Sequence, residues 1–337
     1  MIPTDFSKYV TGFLTKYLSH ERGASKNTIS SYRDTFVLFI TFMEQHKKIK
    51  ISKLTLGAIT KDSVVEFLDW LQTERKCSDS TRNLRLAAIH SFFKYIQYQN
   101  PENLYEYQKI LSIKIKKAPK ATINYLTIAG IKLLLEQPDT RTERGRRDLA
   151  LLSLMYDTGA RVQELIDMTS STIRLEKPYT IQITGKGNKT RVIPLLDDQV
   201  RILKNYLVEQ NRLKPQARLS PLFFNSRGEK FTRPGVTHIL LKYANEAREK
   251  NSNLIPEKLS CHSLRHSKAM HLLQAGVNLV YIRDILGHVS VQTTEIYARA
   301  DSRQKREALE KAYVDVVPKE DPKWLANDNL LGWLKSF

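Results

Sequence analysis

The chain has 337 residues and a formal net charge of +19, with 54 Lys and Arg against 35 Asp and Glu. This length indicates two domains, and the positive charge points to a polyanionic partner, for which nucleic acid is the natural candidate. We find no run of about 18 apolar residues and no signal-peptide pattern, and therefore expect a soluble intracellular protein. Cys77 and Cys261 are too few for a disulfide framework and are interpreted as ordinary thiols.

The first hundred residues carry apolar side chains at helical spacing. Repeats at three and four residues predict four helices that pack as a small bundle. Asp62 is the predicted cap of the third helix, and the segment SDST at 78–81 that of the fourth. The apolar positions are Phe6, Val10, Phe13 and Leu14, then Tyr32, Phe36, Phe39, Ile40 and Met43, then Val64, Phe67, Leu68 and Leu71, then Leu84, Ala88, Phe92 and Tyr95.

Two helix starts in this half carry clusters of basic and polar side chains. Helix N-termini with such groups suit phosphate contacts, so both clusters are candidate DNA-binding sites. An equally open interpretation is that these residues are helix caps and solvated faces. The candidates are Lys26, Asn27, Thr28 and Arg33 in the first cluster, and Arg82, Asn83 and Arg85 in the second.

A domain boundary is predicted in the segment IKIKKAPKATINYLT, where a basic run and Pro119 interrupt the helical pattern. We expect no further domain before the first bundle. The predicted organisation is a DNA-binding helical domain over 1–116, a linker over 117–123, a second domain over 124–316 and a C-terminal tail over 317–337.

The second domain contains Arg161 directly after a turn at Thr158 and Gly159. The planar guanidinium of an arginine can hold two phosphate oxygens at once, which a lysine cannot do. Glu164 lies three residues later on the same helical face and is suited to orient Arg161. Taken alone, the pair is also typical of a surface ion pair.

A hairpin is predicted where YTIQIT and TRVIP alternate on either side of GKGNK. Lys186 lies at the tip of this turn, where an ammonium group could donate a proton to a leaving oxygen. Lys189 lies on the same turn and is the rival for that role. A lysine in a turn is otherwise usually solvated.

The segment CHSLRHS places His262 and Arg265 three residues apart at a helix start, so both can face one site. Arg265 would oppose Arg161 across a phosphate and stabilise a pentacoordinate phosphorane, while His262 can exchange protons near neutral pH. The rival hypothesis is a metal site formed by His262, His266 and His271. No HExxH motif and no suitably spaced cysteine or carboxylate completes such a set, so we predict no metal.

The next segment, LGHVSVQTTEIYA, ends a helix at Gly287, so that His288 emerges at the turn and Tyr297 follows nine residues later. A tyrosine on an amphipathic helix is usually buried, and we expect this of Tyr281.

These four segments, TGARVQEL, TGKGNKTR, CHSLRHS and LGHVSVQTTEIYA, resemble in order, spacing and context the tyrosine recombinase family, also called the phage-integrase family. The resemblance implies a mainly α fold with a small β-hairpin or sheet. It implies a SAM-like core-binding bundle and a C-terminal catalytic domain that close on DNA as a C-shaped clamp. The implied catalytic residues are Arg161, Lys186, His262, Arg265, His288 as a phosphate ligand, and Tyr297 as the nucleophile.

The resemblance further implies a site-specific DNA recombinase of the integrase or transposase type. Such an enzyme cleaves and rejoins strands through a 3′-phosphotyrosine intermediate and a Holliday junction, as a homotetramer on double-stranded DNA with inverted-repeat core sites. We expect it in the bacterial cytoplasm, at the nucleoid. Because a phenol of pKa about 10 leaves more easily than a sugar hydroxyl, the covalent step is reversible and we expect no cofactor.

Two alternative functions are a type IB topoisomerase, which shares the phosphotyrosine chemistry, and a sequence-specific DNA-binding protein without catalysis. The C-terminal tail carries an apolar set too large to leave in water, so it must dock on its own domain or, as the resemblance implies, on a neighbouring subunit. That set is Trp324, Leu325, Leu330, Leu331, Trp333 and Leu334.

Overall fold

The computed structural model describes residues 3–119, 123–185 and 187–300, with residues 332, 334 and 335. The chain divides into two compact units, Met1–Ala121 and Thr122–Phe337. Residues 120–122 of the predicted linker lie outside the described residues, as does the predicted tail apart from the three residues near its end. Within the described ranges, no helix is long and apolar enough to cross a membrane.

The N-terminal unit is helical. Its first helix, α1 (Asp5–Gly12), continues directly as a π-helix over Phe13–Glu21. The α-helices are α1 (Asp5–Gly12), α2 (Lys26–Gln45), α3 (Lys61–Thr73), α4 (Asp79–Ile96) and α5 (Leu104–Leu111). Within residues 3–119, the bundle therefore has one α-helix more than the sequence analysis predicted. This fifth helix has 8 residues and buries Tyr107 and Ile110, which is too short a pattern to be recognised from spacing alone.

The two predicted helix caps have different outcomes. Ser78 caps α4, with its hydroxyl accepting a hydrogen bond from the backbone of Thr81 at 3.3 Å, as predicted. Asp62 does not cap α3, which was a wrong prediction. Thr60 does so, accepting from the backbone of Ser63, while the Ser63 hydroxyl accepts from the backbone of Thr60 at 3.0 Å. This reciprocal pair satisfies two free backbone donors, which one carboxylate in the first turn would not do.

Aromatic rings fill the core of the N-terminal unit. Phe13 meets Phe36 and Phe92 edge-on, with ring centroids 6.1 and 5.4 Å apart. Such edge-to-face pairs add about 0.5–1.5 kcal/mol each to the free energy of area burial. The π-helix that carries Phe13 is thereby fastened to α2 and α4.

The C-terminal unit combines helices with a three-stranded antiparallel sheet of order β1-β2-β3. The β2–β3 hairpin was predicted, whereas β1, with two residues, was not. The strands are β1 (Ile173–Arg174), β2 (Thr180–Thr184) and β3 (Thr190–Pro194). The helices are α6 (Ile128–Leu135), α7 (Glu143–Thr158), α8 (Val162–Asp167), α9 (Asp197–Glu209), α10 (Arg233–Lys250), α11 (Cys261–Gln274), α12 (Leu279–Leu286) and α13 (Glu295–Ala300). The fold is thus mainly α with a small sheet, as expected.

Helix α7 lies at the centre of this unit, where Leu152, Leu154 and Met155 have no exposed surface. It ends at Gly159, whose φ of +57° is the left-handed conformation that glycine adopts most readily. A Cβ on Gly159 would stand 2.7 Å from the Cδ2 atom of Leu286. The absence of a side chain therefore lets the end of α12 approach the turn before α8.

Tyr281 on α12 is 66% exposed, so the prediction that it is buried was wrong. Helix α12 has only 8 residues and turns Ile282 and Leu286 towards the core. Because positions 281 and 282 lie about 100° apart on a helix, Tyr281 is turned towards solvent.

Candidate active site

Arg161 and Arg265 converge at the C-terminal end of α12. Nη2 of Arg161 donates to the backbone carbonyl of Gly287 at 3.4 Å, and Nη2 of Arg265 donates to the adjacent carbonyl of Leu286 at 2.5 Å. Nη1 of Arg265 also donates to the carbonyl of Gly159 at 2.6 Å, on the turn before α8. Two guanidinium groups, one from the residue that precedes α8 and one from α11, are therefore held next to each other by neighbouring peptide groups.

The two arginines differ in burial. Arg265 is 3% exposed, and burial together with the positive charge of Arg161 lowers its pKa to about 10. It therefore remains charged at neutral pH. A third of the Arg161 side chain, 33%, is exposed. Two neighbouring positive charges in a partly desolvated place favour the binding of an anion.

Glu164 supplies the negative charge beside Arg161. Its Oε1 accepts from Nη1 of Arg161 at 2.7 Å, and its Oε2 accepts from the Arg161 backbone at 2.9 Å and from Nη2 of Arg191 at 2.7 Å. Burial favours the neutral acid, but the hydrogen bonds from Arg191 and Arg161 outweigh it, so the pKa of Glu164 is lowered. With Glu164 only 6% exposed, the pair is not a surface ion pair.

Arg191 on β3 was not singled out from the sequence. Its Nε donates to the carbonyl of Ile285 at 2.8 Å, so it joins the hairpin to the end of α12. The sequence did contain an indication that Arg191 is buried. Residues two apart on a strand share a face, so Arg191 lies on the same face as the buried Ile193. An arginine on the inner face of a strand needs a buried partner, and Glu164 is that partner here.

Tyr297 on α13 is 1% exposed, and its ring packs among Met270, Leu273 and Ile282. Its phenol oxygen lies 3.0 Å from Nδ1 of His266, a hydrogen bond in which the phenol is the donor when Nε2 of the imidazole carries the proton. Burial raises the pKa of Tyr297, and the nearby Arg265 and Arg161 act in the opposite direction. The phenol is thus neutral at rest, within the electrostatic influence of both arginines.

His288 follows Gly287, the left-handed residue that ends α12 as predicted. Its Nδ1 lies 2.9 Å from the hydroxyl of Thr294, which is fully buried. The imidazole is nearly parallel to the ring of Tyr297, at 11° with a centroid separation of 6.4 Å. Burial and the positive charges of Arg265 and Arg161 lower the pKa of His288 to about 4, so it is neutral near pH 7.

His262 lies on the same helix as Arg265 and is exposed. Its ring stands perpendicular to that of His266, with centroids 5.8 Å apart. Partial burial and the charges of Arg265 and Arg161 lower its pKa. The imidazole that contacts the phenol oxygen is therefore that of His266 rather than that of His262.

The hairpin turn begins against this cluster, although Lys186 lies outside the described residues. The backbone N–H of Gly185 donates to the carbonyl of Lys189 at 2.8 Å, which closes the turn. A Cβ on Gly185 would stand 2.9 Å from Oε1 of Glu164. The Lys189 side chain is exposed.

Comparison with known proteins gives two family matches. The model described as "Phage integrase family" matches residues 124–304, and that described as "Phage integrase, N-terminal SAM-like domain" matches residues 11–100. The chain belongs to the phage integrase family. It is therefore a tyrosine recombinase, an enzyme that breaks and rejoins DNA strands.

Curated relatives of this family match over most of their length. The integrase/recombinase y4rC of Sinorhizobium fredii is 36% identical, over 96% of this chain and 96% of its own. Tyrosine recombinase XerD of Listeria monocytogenes is 31% identical, over 83% of this chain and 90% of its own.

Solved structures of tyrosine recombinases are also similar. XerH site-specific recombinase, in a pre-cleavage complex with its difH substrate, is 27% identical with a TM-score of 0.66, over 89% of this chain and 84% of its own. The Tn1549 transposon integrase in complex with transposon right-end DNA has a TM-score of 0.68 over 90% of this chain and 98% of its own. At 17% identity, the latter shares the fold alone.

In this tyrosine recombinase, the second predicted DNA-binding cluster makes contacts within its own unit. Arg82 is 4% exposed and donates to the carbonyl of Lys114 at 3.4 Å. The side-chain amide of Asn83 donates to the carbonyl of Lys116 at 2.7 Å. These two side chains hold the segment that leaves α5, and their role in binding DNA stays a prediction.

Arg85 joins the two clusters. Its Nη1 donates to the carbonyl of Ser31 at 2.9 Å and to the hydroxyl of Thr35 at 3.1 Å, so the start of α4 lies beside the first half of α2. In the first cluster, Lys26 and Asn27 are exposed and Thr28 is half-buried, with its backbone capped by Ser25. The exposed Arg33 pairs with Asp34 at 2.8 Å. Lys26 and Asn27 are therefore the members of the set best placed to meet a ligand.

Among residues 3–119, 123–185 and 187–300, no three His, Cys, Asp or Glu side chains are grouped as a metal site would require. His262 and His266 are neighbours, but the nitrogen Nδ1 of His266 is engaged with Tyr297 and that of His271 with the hydroxyl of Tyr156 at 2.9 Å. The rival metal set proposed from the spacing of these histidines is therefore not assembled.

Proposed function

We propose that this chain is a site-specific recombinase in which Arg161, Lys186, His262, Arg265, His288 and Tyr297 form the catalytic set. The observation that supports this most directly is the pairing of Arg161 and Arg265 on adjacent carbonyls of the α12 terminus, with the phenol of Tyr297 within their electrostatic influence. A phosphodiester between the two guanidinium groups would receive charge-assisted hydrogen bonds from both. These strengthen as negative charge builds up on the phosphorane.

His288 acts in this scheme as a neutral donor to the same phosphate. If the hydroxyl of Thr294 donates to Nδ1 of His288, the ring proton resides on Nε2, where it can be donated to a phosphate oxygen. The lowered pKa of His288 keeps the ring in this neutral form. The geometry thus supports a tautomer assignment that the sequence could not provide.

In the covalent step, the phenol oxygen of Tyr297 attacks phosphorus and forms a 3′-phosphotyrosine. The bond from phosphorus to the 5′-oxygen breaks, and Lys186 donates a proton to that oxygen as it leaves. The close approach of Gly185 to Glu164 supports this role, because it places the base of the turn beside the arginine cluster. Since Tyr297 is 1% exposed, DNA binding has to open a path by which the phosphate reaches this side chain.

The proposed partner is double-stranded DNA with inverted-repeat core sites. The charge of +19 supports a polyanionic partner, and the XerH complex with difH is a relative's example. We propose that Lys26, Asn27, Thr28 and Arg33, with Arg82, Asn83, Arg85 and Lys189, contribute to this binding, and that the enzyme acts at the bacterial nucleoid. No cofactor is needed, because the phosphotyrosine retains the energy of the broken bond.

The proposed organisation is a core-binding domain over 1–116, a linker over 117–123, a catalytic domain over 124–316 and a tail over 317–337. Four copies would act on two sites, exchange strands through a Holliday junction and dock their tails on neighbouring subunits. Deletion beyond Pro322 tests the last point. Unchanged synapsis on paired sites would show that the tail is not required between subunits.

Formation of a covalent adduct tests the central proposal. Nicked duplex DNA carrying the recombination site should give a denaturant-resistant adduct with the wild-type chain and none with Tyr297→Phe. Tyr281→Phe, at an exposed tyrosine on α12, is the matched control and should leave the adduct in place. An adduct that persists in Tyr297→Phe would refute the assignment.

Two further experiments distinguish the alternative functions. Strand exchange between paired sites separates recombination from topoisomerase activity, and a DNA footprint without strand cleavage would indicate a non-catalytic DNA-binding protein.

A further inference from the structure

His266 is the side chain that directly contacts the proposed nucleophile. Its Nδ1 lies 3.0 Å from the phenol oxygen of Tyr297, and the two ring centroids are 5.7 Å apart. It follows Arg265 in the chain, so the first half of α11 carries both a proposed phosphate ligand and this imidazole.

The phenol requires a proton acceptor in order to attack. Burial raises the pKa of Tyr297 above its ordinary value of 10, so very little phenolate is present near pH 7. The pKa of His266 is lowered to about 4 by burial and by the neighbouring His262 and Arg265. His266 is therefore neutral and, with its proton on Nε2, presents the lone pair of Nδ1 to the phenol.

Two other histidines are less suitably placed to accept this proton. His288 lies face-on to the Tyr297 ring at 6.4 Å and uses Nδ1 for its hydrogen bond with Thr294. His262 contacts the ring of His266, and its own ring is exposed. A proton acceptor must lie within hydrogen-bonding distance of the proton, a condition that His266 meets.

We infer that His266 is a further catalytic residue, which accepts the phenol proton of Tyr297 as the phenol oxygen attacks phosphorus. This inference rests on the proposed function. In the step, the O–H bond of Tyr297 breaks, its proton moves to Nδ1 of His266, and the oxygen–phosphorus bond forms. The bond from phosphorus to the 5′-oxygen breaks at the same time, and the leaving oxygen takes its proton from Lys186. When the strand is rejoined, His266 returns the proton to the departing phenol.

The charges around His266 make this base depend on DNA. His262 and Arg265 face it from its own helix, Tyr297 from α13, and His288 from the turn after α12. The positive charge of Arg265 disfavours an imidazolium when no anion is present. A phosphate bound to Arg161 and Arg265 adds negative charge nearby and raises the proton affinity of His266. The phenol is therefore activated mainly when the scissile phosphate is in place.

The test measures the rate of adduct formation on nicked duplex DNA under single-turnover conditions, with wild type, His266→Gln and His266→Ala. We expect both variants to be about a hundredfold slower. Their rates should rise about tenfold per pH unit through the neutral range, because hydroxide must replace the missing base, whereas the wild-type rate stays nearly flat. Added imidazole should restore part of the rate to His266→Ala, because the truncated side chain leaves space for it.

A second substrate separates the two proton transfers. In a 5′-bridging phosphorothiolate, the leaving sulfur needs no proton, so this substrate should restore cleavage by Lys186→Ala but not by His266→Gln. His271→Gln is the matched control, since His271 lies on the same helix and contacts Tyr156 instead of the phenol. We expect it to cleave at the wild-type rate.

Four results would overturn the inference: wild-type rates in both His266 variants, an equal loss at every pH, rescue of His266→Gln by the thiolate, or faster cleavage. Equal loss at every pH would indicate a structural role. Faster cleavage would mean that His266 holds the phenol back. If the wild-type chain forms no adduct at all, the proposed function fails and the inference fails with it. Failure of the inference alone leaves the wild-type adduct intact.

Discussion

Nη2 of Arg191 donates to Oε2 of Glu164 at 2.7 Å, and the two side chains are only 10% and 6% exposed. The other oxygen of the carboxylate accepts from Arg161. Glu164 is therefore shared between a strand residue and a proposed phosphate ligand. Its ion pairs connect the hairpin, α8 and the end of α12, where Arg191 donates to the carbonyl of Ile285.

Glu164→Gln should weaken both the fold and catalysis. The substitution keeps the shape of the side chain but leaves two arginines without their shared counter-charge. Breaking a buried ion pair costs about 3–5 kcal/mol, so urea unfolding should show a loss of this order, together with slower adduct formation. Glu209→Gln is the control, because Glu209 pairs with Arg146 near the surface and its loss should have a much smaller effect.

The contribution of Glu164 to the free energy of unfolding should decrease as the pH is lowered. Its pKa in the folded chain is lowered from the ordinary value of 4.5. The stabilisation is therefore fully present above pH 4.5 and is lost as the pH falls through the lower folded value. The difference in unfolding free energy between wild type and Glu164→Gln should shrink as the pH is lowered below this range. A difference that stays constant would contradict the ion-pair explanation.

Gly287→Ala should disturb the site more than Gly276→Ala does. Both glycines have positive φ, +64° and +82°, so both substitutions carry a backbone cost of about 1 kcal/mol. A Cβ on Gly287 would also stand 2.9 Å from Nη1 of Arg191, whereas nothing lies within 4 Å of one on Gly276. We expect an additional loss of about 1–3 kcal/mol and slower cleavage in Gly287→Ala alone. Equal losses of unfolding free energy in the two variants, measured by urea unfolding, would show that the close approach of Gly287 to Arg191 does not matter.

Thr294→Val should slow cleavage without changing DNA affinity. Valine keeps the shape of the buried side chain but removes the hydroxyl that bonds to Nδ1 of His288. His288 is then free to take the wrong tautomer, and we expect a loss of about tenfold in rate, which equals about 1.4 kcal/mol. Thr294→Ser retains the hydroxyl and should cleave nearly as fast as wild type. A slow serine variant would point to packing instead.

Lys26→Ala and Arg85→Ala should have different effects. Lys26 is exposed, so its loss should weaken binding to all DNA sequences alike and reduce the slope of affinity against salt by about one, with unfolding unchanged. Arg85 bonds to Ser31 and Thr35, so its loss should lower the unfolding free energy of the N-terminal unit. Affinity at several salt concentrations and urea unfolding distinguish the two. An unchanged stability in Arg85→Ala would favour a phosphate contact there.

Sequence patterns predicted the parts of the molecule whose signals are local. The hairpin and the turns at Gly159 and Gly287 follow from spacing and turn chemistry. The approach of Arg161 to Arg265 is not local, and it was expected from the chemistry of a phosphate site and the resemblance to the recombinase family. Arg191 was missed because its contact with Glu164 joins residues 27 positions apart in the chain. His266 was named only as a possible metal ligand, because its contact with Tyr297 spans 31 positions. Thr294 lies only 6 positions from His288, but the residue type alone does not mark it as the partner of that histidine. Of these three residues, only Arg191 could have been recognised from the sequence, because it lies on the buried face of β3.

Burial was the hardest property to predict. Arg82 is a basic residue at a helix start, as a phosphate ligand would be, yet the segment that leaves α5 covers it. The contact joins Arg82 to the carbonyl of Lys114, 32 positions away in the chain. Tyr281 is an aromatic residue on an amphipathic helix, which is typical of a core position, but it faces solvent. Helix α12 is only 8 residues long and presents one narrow face to the core. In both cases, exposure is determined by which element packs alongside, and no local pattern records that.

The fastening of Arg161 and Arg265 to neighbouring peptide carbonyls has a thermodynamic consequence. The spacing between the two guanidinium groups is set by two consecutive peptide carbonyls, so the geometry of this proposed phosphate site is fixed by the fold itself. The side-chain entropy of Arg161 and Arg265 is therefore lost when the chain folds and not when it binds DNA. If the proposed site binds the scissile phosphate, it needs little rearrangement when negative charge develops there.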